Sequence, residues 1–227
     1  MPFQSSISCN VSAPAFSSRF GQSFGREFFP RESCLRLLVF VFLALGLGAR
    51  AQLVDFGSGE WIWSAPPAGR AALDQPEGTA WFRASLAVSE KAQIRYAELI
   101  IAADNLYTAY LNGQFVGESV ADPSAWNRPK RFEVARLISA GHNVIAIEAV
   151  NTAAGPAGLL ARLVVEFADG QKAELATSPS WKCVSEEQPN WQQPELNDQA
   201  WAAAISLGGF GVAPWGKFGP GTDREPA

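Results

Sequence analysis

The chain has 227 residues and a formal net charge of −4, with 18 basic and 22 acidic side chains. Proteins that bind nucleic acids or anionic membranes present clusters of Lys and Arg, so this acidic balance argues against both partners. One histidine, three cysteines and no CxxC or HExxH motif leave little material for a zinc centre or a nucleophilic enzyme.

The N-terminal region predicts a secretory signal peptide. Arg31 and Arg36 precede an apolar run over residues 37–47, and Ala49-Arg50-Ala51 places small residues at a cleavage position. These eleven apolar residues are fewer than the about 20 that cross a bilayer. We therefore expect a leader over residues 1–51, cleavage after Ala51, and a secreted or periplasmic product with no membrane attachment. An uncleaved anchor and a short buried helix are the alternatives.

The remaining part of the chain, residues 52–227, has the size of one domain. Without the five arginines and two glutamates of the leader, its net charge becomes −7, which suits a neutral ligand or a cation. Cys183 is then the single cysteine, which excludes an intramolecular disulfide, and we expect it to be a small buried hydrophobic residue. We predict a folded domain over residues 52–216 and a disordered tail over residues 217–227.

The predicted elements begin with a segment rich in Gly, Pro and Ala over residues 57–76, which we interpret as an edge strap around Trp61 and Trp63. A half-buried strand follows, in which Phe82, Ala84, Leu86 and Val88 alternate with Arg83, Ser85 and Ala87. The next apolar run covers residues 94–103.

Two hairpin signals follow along the chain. Asn112-Gly113 separates two strand-like runs and matches a type I′ turn, in which both central residues need positive φ. Residues 143–151 are apolar on both faces apart from Glu148, which is typical of a central strand. Residues 158–168 alternate again and enter the second hairpin at Asp169-Gly170. Short strands with regular turn signals predict an all-β, antiparallel β-sandwich.

Catalytic arrangements are scarce in this sequence. His142 lies in a Gly-His-Asn turn with no Ser or Cys motif to accompany it, so we expect a turn residue and not a base. A two-carboxylate glycosidase would need acids about 5–9 Å apart across a cleft, and the residue order singles out no such pair. We therefore predict that the protein is not an enzyme.

Polar side chains at one strand end are candidate ligands for a hard cation. Asp104-Asn105 follows a buried strand, and the loop around Pro156 leaves the predicted central strand at the same edge. Calcium takes six to eight oxygens from carboxylates, amides and carbonyls. An Asp-Asn turn without a ligand is the simpler alternative. Trp126, in a polar loop, is either a plug over the sandwich end or a stacking surface for a sugar ring.

From Trp61 to Trp215 the sequence resembles the galactose-binding-like jelly-roll modules found beside bacterial α-L-rhamnosidases and other secreted polysaccharide-degrading enzymes. The resemblance rests on WIWS, WFR, AADNLYTAYLNGQFVG, GHNVIAIEAVN, GLLARL and the closing GGFGVAPWG. It implies a jelly-roll β-sandwich (galactose-binding domain-like) that acts as a non-catalytic accessory module.

Within this group, the family-67 carbohydrate-binding modules bind L-rhamnose through a calcium ion, with an Asp-Asn pair, a proline carbonyl and a tryptophan. The resemblance implies a metal site formed by Asp104, Asn105 and Pro156. It implies a sugar site formed by Asp104, Asn105, Trp126, Asn127 and Arg128. We therefore expect an exported module that binds a neutral sugar of a polysaccharide or glycan, with calcium, inside a larger secreted enzyme assembly. A structural or protein-interaction β-sandwich that binds no sugar is the alternative.

Overall fold

The computed structural model describes residues 54–122 and 124–219, and the backbone of residues 224–226. The predicted leader and its cleavage site lie outside these residues. Within them, no helix has the length and apolar character needed to cross a membrane.

The described residues fold into strands joined by turns and two single turns of 3₁₀ helix. The strands are β1 (Glu60–Trp63), β2 (Gly78–Val88), β3 (Ile94–Asp104), β4 (Leu106–Leu111), β5 (Gln114–Glu118), β6 (Lys130–Glu133), β7 (Gly141–Asn151), β8 (Gly158–Phe167), β9 (Lys172–Ala176), β10 (Lys182–Val184), β11 (Ala202–Ala203), β12 (Ile205–Gly209) and β13 (Arg224–Pro226). The 3₁₀ turns are Ala125–Asn127 and Ala135–Leu137.

Two sheets form the predicted jelly-roll sandwich. The first has the order β12-β1-β8-β3-β6-β13, with β9 also paired to β8, and the second has the order β11-β10-β2-β7-β4-β5. All pairs are antiparallel except β13 with β6, which is parallel. The predicted all-β, antiparallel fold class is confirmed.

The predictions of a central strand and of the first hairpin are confirmed. Strand β7 lies between β2 and β4 and is buried on both faces, as its apolar pattern predicts. Asn112 and Gly113 have φ values of 52° and 76°, the positive values that a type I′ turn requires. The Asn112 side chain also accepts a hydrogen bond from the Val144 amide at 2.9 Å, which ties the hairpin to β7.

The segment predicted as an edge strap contributes an interior strand. Strand β1 lies between β12 and β8 in the first sheet, with Trp61 and Ile62 fully buried on opposite faces. A run of four residues between Gly59 and Ser64 is too short to show an alternation pattern, which explains the difference.

The outer face of the first sheet carries an aromatic cluster formed by both ends of the domain. Phe56 packs against Phe210 and Phe218, at ring-centroid distances of 5.3 and 6.1 Å. Phe218, which lies two residues beyond the predicted domain boundary at residue 216, belongs to this cluster. Residues 224–226, which lie within the predicted disordered tail, form strand β13 beside β6.

The outer face of the second sheet is covered by residues 185–201, which form turns. Arg83 lies beneath this cover with 1% of its surface exposed, whereas its place in the alternating pattern predicted a solvent-facing side chain. The cover explains the difference, because the sequence of β2 alone cannot show that a segment more than a hundred residues away covers its outer face. Cys183 is buried, as predicted, and burial raises the pKa of its thiol to about 11.

Candidate functional site

The predicted site lies where β3 ends on the outer face of the first sheet. Leu99, Ile101 and Ala103 point into the core between the sheets, so the alternate residues of β3 face outward. Asp104 is the last of these and lies opposite Gly158 of β8. Only 9% of its surface is exposed.

Hydrogen bonds hold both carboxylate oxygens of Asp104. Trp215 Nε1 donates to Oδ2 at 2.8 Å, and Asn105 Nδ2 donates to Oδ1 at 2.7 Å. Burial nevertheless raises the pKa of Asp104 above its ordinary value, because desolvation outweighs the two hydrogen bonds, which lower it. No cationic side chain of the described residues forms a salt bridge with this carboxylate.

The Asn105 side chain joins this strand end to the loop between β7 and β8. Its Oδ1 accepts hydrogen bonds from the Thr152 amide at 2.9 Å and the Thr152 hydroxyl at 3.0 Å. Pro156 lies exposed in the same loop, two residues before Gly158. The fold therefore brings Asp104, Asn105 and the Pro156 loop to one end of the sandwich.

The predicted sugar-contacting residues lie on the 3₁₀ turn Ala125–Asn127 and just after it. Trp126 is half-buried in the aromatic cluster, where its ring meets Phe218 edge-on at 6.0 Å. Part of this side chain thus acts as a plug, and part stays open to solvent. Asn127 and Arg128 are exposed, and Arg128 forms an ion pair with Asp122.

Sequence reasoning missed the residues that position Asp104. Trp215 stacks on Trp61 with ring centroids 4.4 Å apart and rings inclined by 16°. This stack lies against Gly158, where an added Cβ would come within 2.7 Å of the Trp61 ring and 2.9 Å of the Trp215 ring. The closing GGFGVAPWG was a visible motif, but nothing in it indicated a hydrogen bond across 111 residues.

The donor set at this end consists of hard oxygens. Asp104 supplies a carboxylate and Asn105 an amide oxygen, and the loop that contains Pro156 begins at the same end. Among the described residues, no group of three or more His, Cys, Asp and Glu side chains is placed to hold a metal. Calcium is the metal whose ligand preferences fit this set, although Asn105 Oδ1 would have to release the Thr152 hydroxyl, because both its lone pairs are in use.

Replacing Trp215 with phenylalanine tests the positioning of Asp104. The variant keeps an aromatic ring for the stack with Trp61 but removes the Nε1 donor. Because that hydrogen bond lowers the pKa of Asp104, we expect the pKa to rise further in the variant. Carboxyl ¹³C titration by NMR measures the change, with Trp126→Phe as the control. An unchanged pKa of Asp104 in Trp215→Phe would show that the bond is unimportant in solution.

Comparisons with known proteins agree with the fold. An alpha-L-rhamnosidase from Streptomyces avermitilis is 34% identical over 180 residues, which cover 77% of this chain and 17% of the relative. The crystal structure of Streptomyces avermitilis alpha-L-rhamnosidase complexed with L-rhamnose matches 76% of this chain with a TM-score of 0.67 and 33% identity, again over 17% of its own length. The chain thus spans about a sixth of the relative's length.

A lectin structure gives a second match. The lectin from Pleurotus ostreatus in complex with GalNAc matches 74% of this chain and 48% of its own chain, with a TM-score of 0.61 and 27% identity. No protein-family model matches the sequence. The sheet order and these matches show that the chain contains a galactose-binding-like jelly-roll domain, similar to parts of an alpha-L-rhamnosidase and of a lectin.

Proposed function

We propose that this domain is a non-catalytic carbohydrate-binding module that holds a neutral sugar at the Asp104 end of the first sheet, with the help of calcium. The observation that carries the proposal is Asp104 itself, a buried carboxylate with a raised pKa and no salt bridge to any described residue. Burying a carboxylate costs free energy unless a positive charge offsets the loss of hydration. A bound cation would supply that charge.

Asp104, Asn105 and the Pro156 carbonyl would hold the ion, which would polarise vicinal hydroxyls of the sugar. With a single carboxylate among the ligands, we expect weak affinity for the metal, in the range of about 10⁻⁴–10⁻³ M that extracellular modules show. The Trp126 ring would offer an apolar face to the sugar. Asn127 would donate hydrogen bonds, as would Arg128, whose ion pair with Asp122 holds it in place.

The relatives support a sugar as the ligand class. The matched rhamnosidase structure is complexed with L-rhamnose and the matched lectin structure with GalNAc. We do not assign the catalytic activity of the whole rhamnosidase to this domain, because the match covers 17% of that enzyme. The same proportion favours a role for this domain as an accessory part of a larger enzyme assembly.

We further propose export of the domain, on the basis of the basic residues, apolar run and small residues that precede Gln52. Mass spectrometry of the secreted protein tests this directly, since we expect an N-terminus at Gln52.

Replacing Asp104 with asparagine tests the sugar site. The variant keeps the shape of the side chain but loses the charge that a cation needs. By isothermal titration, we expect wild-type protein to bind L-rhamnose with calcium and not with EDTA. We expect Asp104→Asn to bind L-rhamnose at least about tenfold more weakly, a loss of about 1.4 kcal/mol.

The matched control for this experiment is Asp169→Asn. It removes one carboxylate from the β8–β9 turn, where Asn-Gly suits the same hairpin geometry. Equal affinities of Asp104→Asn and wild type would contradict the site. Absence of sugar binding by wild-type protein, with either L-rhamnose or GalNAc, would favour the alternative of a structural or protein-interaction domain.

A further inference from the structure

A second concave site lies on the outer face of the first sheet, away from Asp104. A cavity of about 250 Å³ is lined there by polar side chains over a floor that includes Ile100 and Val164. Its polar lining includes Tyr96, Glu98, Arg131, Arg162, Glu166 and Lys172. We name it the Arg131 groove. Glu98 and Asp104 are six residues apart on β3 and hence about 20 Å apart, so the two sites are separate.

Arg131 is the unusual member of this groove. Only 8% of its surface is exposed, and it lies on β6 opposite Ile100 of β3. Its nearest carboxylate atom is Glu98 Oε1, 3.7 Å from Nη1, which is too long for a hydrogen bond. No other described residue gives the Arg131 guanidinium an acceptor. A guanidinium has five N–H donors, and no Arg131 nitrogen is among the buried, unpartnered side-chain atoms of the described residues, so these donors open onto the groove.

The other cations of the groove are well paired. Arg162 donates to both Glu174 oxygens at 2.8 Å and to Asp55 Oδ2 at 2.7 Å. Lys172 lies 3.1 Å from Glu166. The half-buried Arg162 thus has protein acceptors, whereas the donors of Arg131 are available to a ligand in the groove.

Charge and geometry together indicate the class of ligand. Each cation of the groove has a carboxylate near it, so an anion would meet no net positive field. The Tyr96 hydroxyl donates to Glu98 Oε2 at 2.8 Å and thereby fixes the carboxylate beside Arg131. A donor and an acceptor fixed side by side suit a pair of hydroxyl groups, because each hydroxyl both donates and accepts.

We propose that the Arg131 groove binds one neutral sugar unit without calcium. Arg131 donates to one ring hydroxyl, Glu98 accepts from its neighbour, and the apolar floor meets a face of the ring. The site is independent of the one at Asp104 and would allow the domain to contact a polysaccharide at two places.

Titration followed by ¹H–¹⁵N NMR tests this proposal in EDTA, which removes the calcium-dependent site. The probes are L-rhamnose, methyl β-D-galactopyranoside, methyl β-D-glucopyranoside and sodium D-glucuronate. We expect at least one neutral sugar to shift the Arg131 Nε–H signal and the Ile100 amide in a saturable way. Arg131→Met is expected to weaken this binding at least about tenfold, whereas the exposed Arg95→Met leaves it unchanged.

A second variant guards against misfolding, because Arg131→Met leaves Glu98 partly buried without its neighbouring cation. Arg131→Met combined with Glu98→Gln removes both charges and keeps an acceptor for Tyr96. The proposal is overturned if no neutral sugar shifts these signals, if D-glucuronate alone does, or if both groove variants bind as wild type. Loss of groove binding in Asp104→Asn would also overturn it, since the sites would then be one.

Discussion

Replacing Arg83 with methionine is expected to lower the free energy of unfolding by about 3–5 kcal/mol, the cost of removing one partner from a buried ion pair. The Arg83 guanidinium donates to Asp198 Oδ2 at 2.9 Å and to the Gln193 and Leu196 carbonyls at 3.1 and 3.3 Å. It also donates to the Trp191 carbonyl. One side chain therefore serves four acceptors.

These acceptors all belong to residues 185–201, which cover the second sheet without forming a strand of their own. The backbone carbonyls of such a cover need donors once they are buried, and Arg83 supplies them. The Trp201 ring also lies 5.8 Å from the guanidinium carbon, within the range of a cation–π interaction. Without Arg83, three carbonyls and Asp198 are left to be satisfied by water, and the cover loosens.

Urea denaturation measures the effect, and hydrogen exchange of residues 185–201 shows where it arises. Arg95→Met is the matched control, because Arg95 is an exposed arginine on β3, which belongs to the first sheet. Arg83→Lys should recover little of the loss, since an ammonium cannot reproduce the fork of the guanidinium. If Arg83→Met and Arg95→Met unfolded at the same urea concentration, the role of Arg83 as the anchor of this cover would be wrong.

The second large effect is expected at Gly158, where alanine should cost about 1–3 kcal/mol through overpacking. The added methyl group would meet the Trp61 and Trp215 rings within 3 Å. To make room, the stacked rings must move, and Trp215 would move away from Asp104. We therefore expect Gly158→Ala to lose both stability and calcium-dependent sugar binding.

Gly209→Ala separates the packing effect from the general cost of changing a strand glycine. Gly209 also lies in the first sheet, and an added Cβ there would meet nothing within 4 Å. Thermal unfolding and titration with L-rhamnose should leave this control close to wild type. A Gly158→Ala variant with wild-type stability and unchanged tryptophan fluorescence would contradict this account, because it would show that the Trp61–Trp215 stack accommodates the added methyl group.

Local signals in the sequence were enough to predict the β-sandwich scaffold. Asn112-Gly113 and the doubly apolar β7 are read from neighbouring residues, because turn chemistry and burial of both faces leave local patterns. The strap prediction failed at β1 because only four residues carry that strand. Arg83 was misread for a different reason, since a polar residue in an alternating strand looks the same whether water or another segment covers it.

The candidate site likewise has features that the sequence predicts and features that depend on contacts between distant residues. The position of Asp104-Asn105 at the end of a buried strand was visible in the sequence, and so was the loop that contains Pro156. The hydrogen bond from Trp215 was not, because it joins residues 111 positions apart. Arg131 was equally hidden, since its position beside Ile100 depends on the pairing of β6 with β3, two strands that are distant in sequence.

A crystal structure of the domain grown with calcium and L-rhamnose tests the central claim most directly. The account predicts a metal ion about 2.3–2.6 Å from an oxygen of Asp104, with the ring hydroxyls of the sugar completing its coordination. Anomalous scattering distinguishes the ion from water. The account is contradicted if L-rhamnose binds elsewhere with no contact to Asp104, or if saturating calcium and sugar leave this end of the first sheet without either.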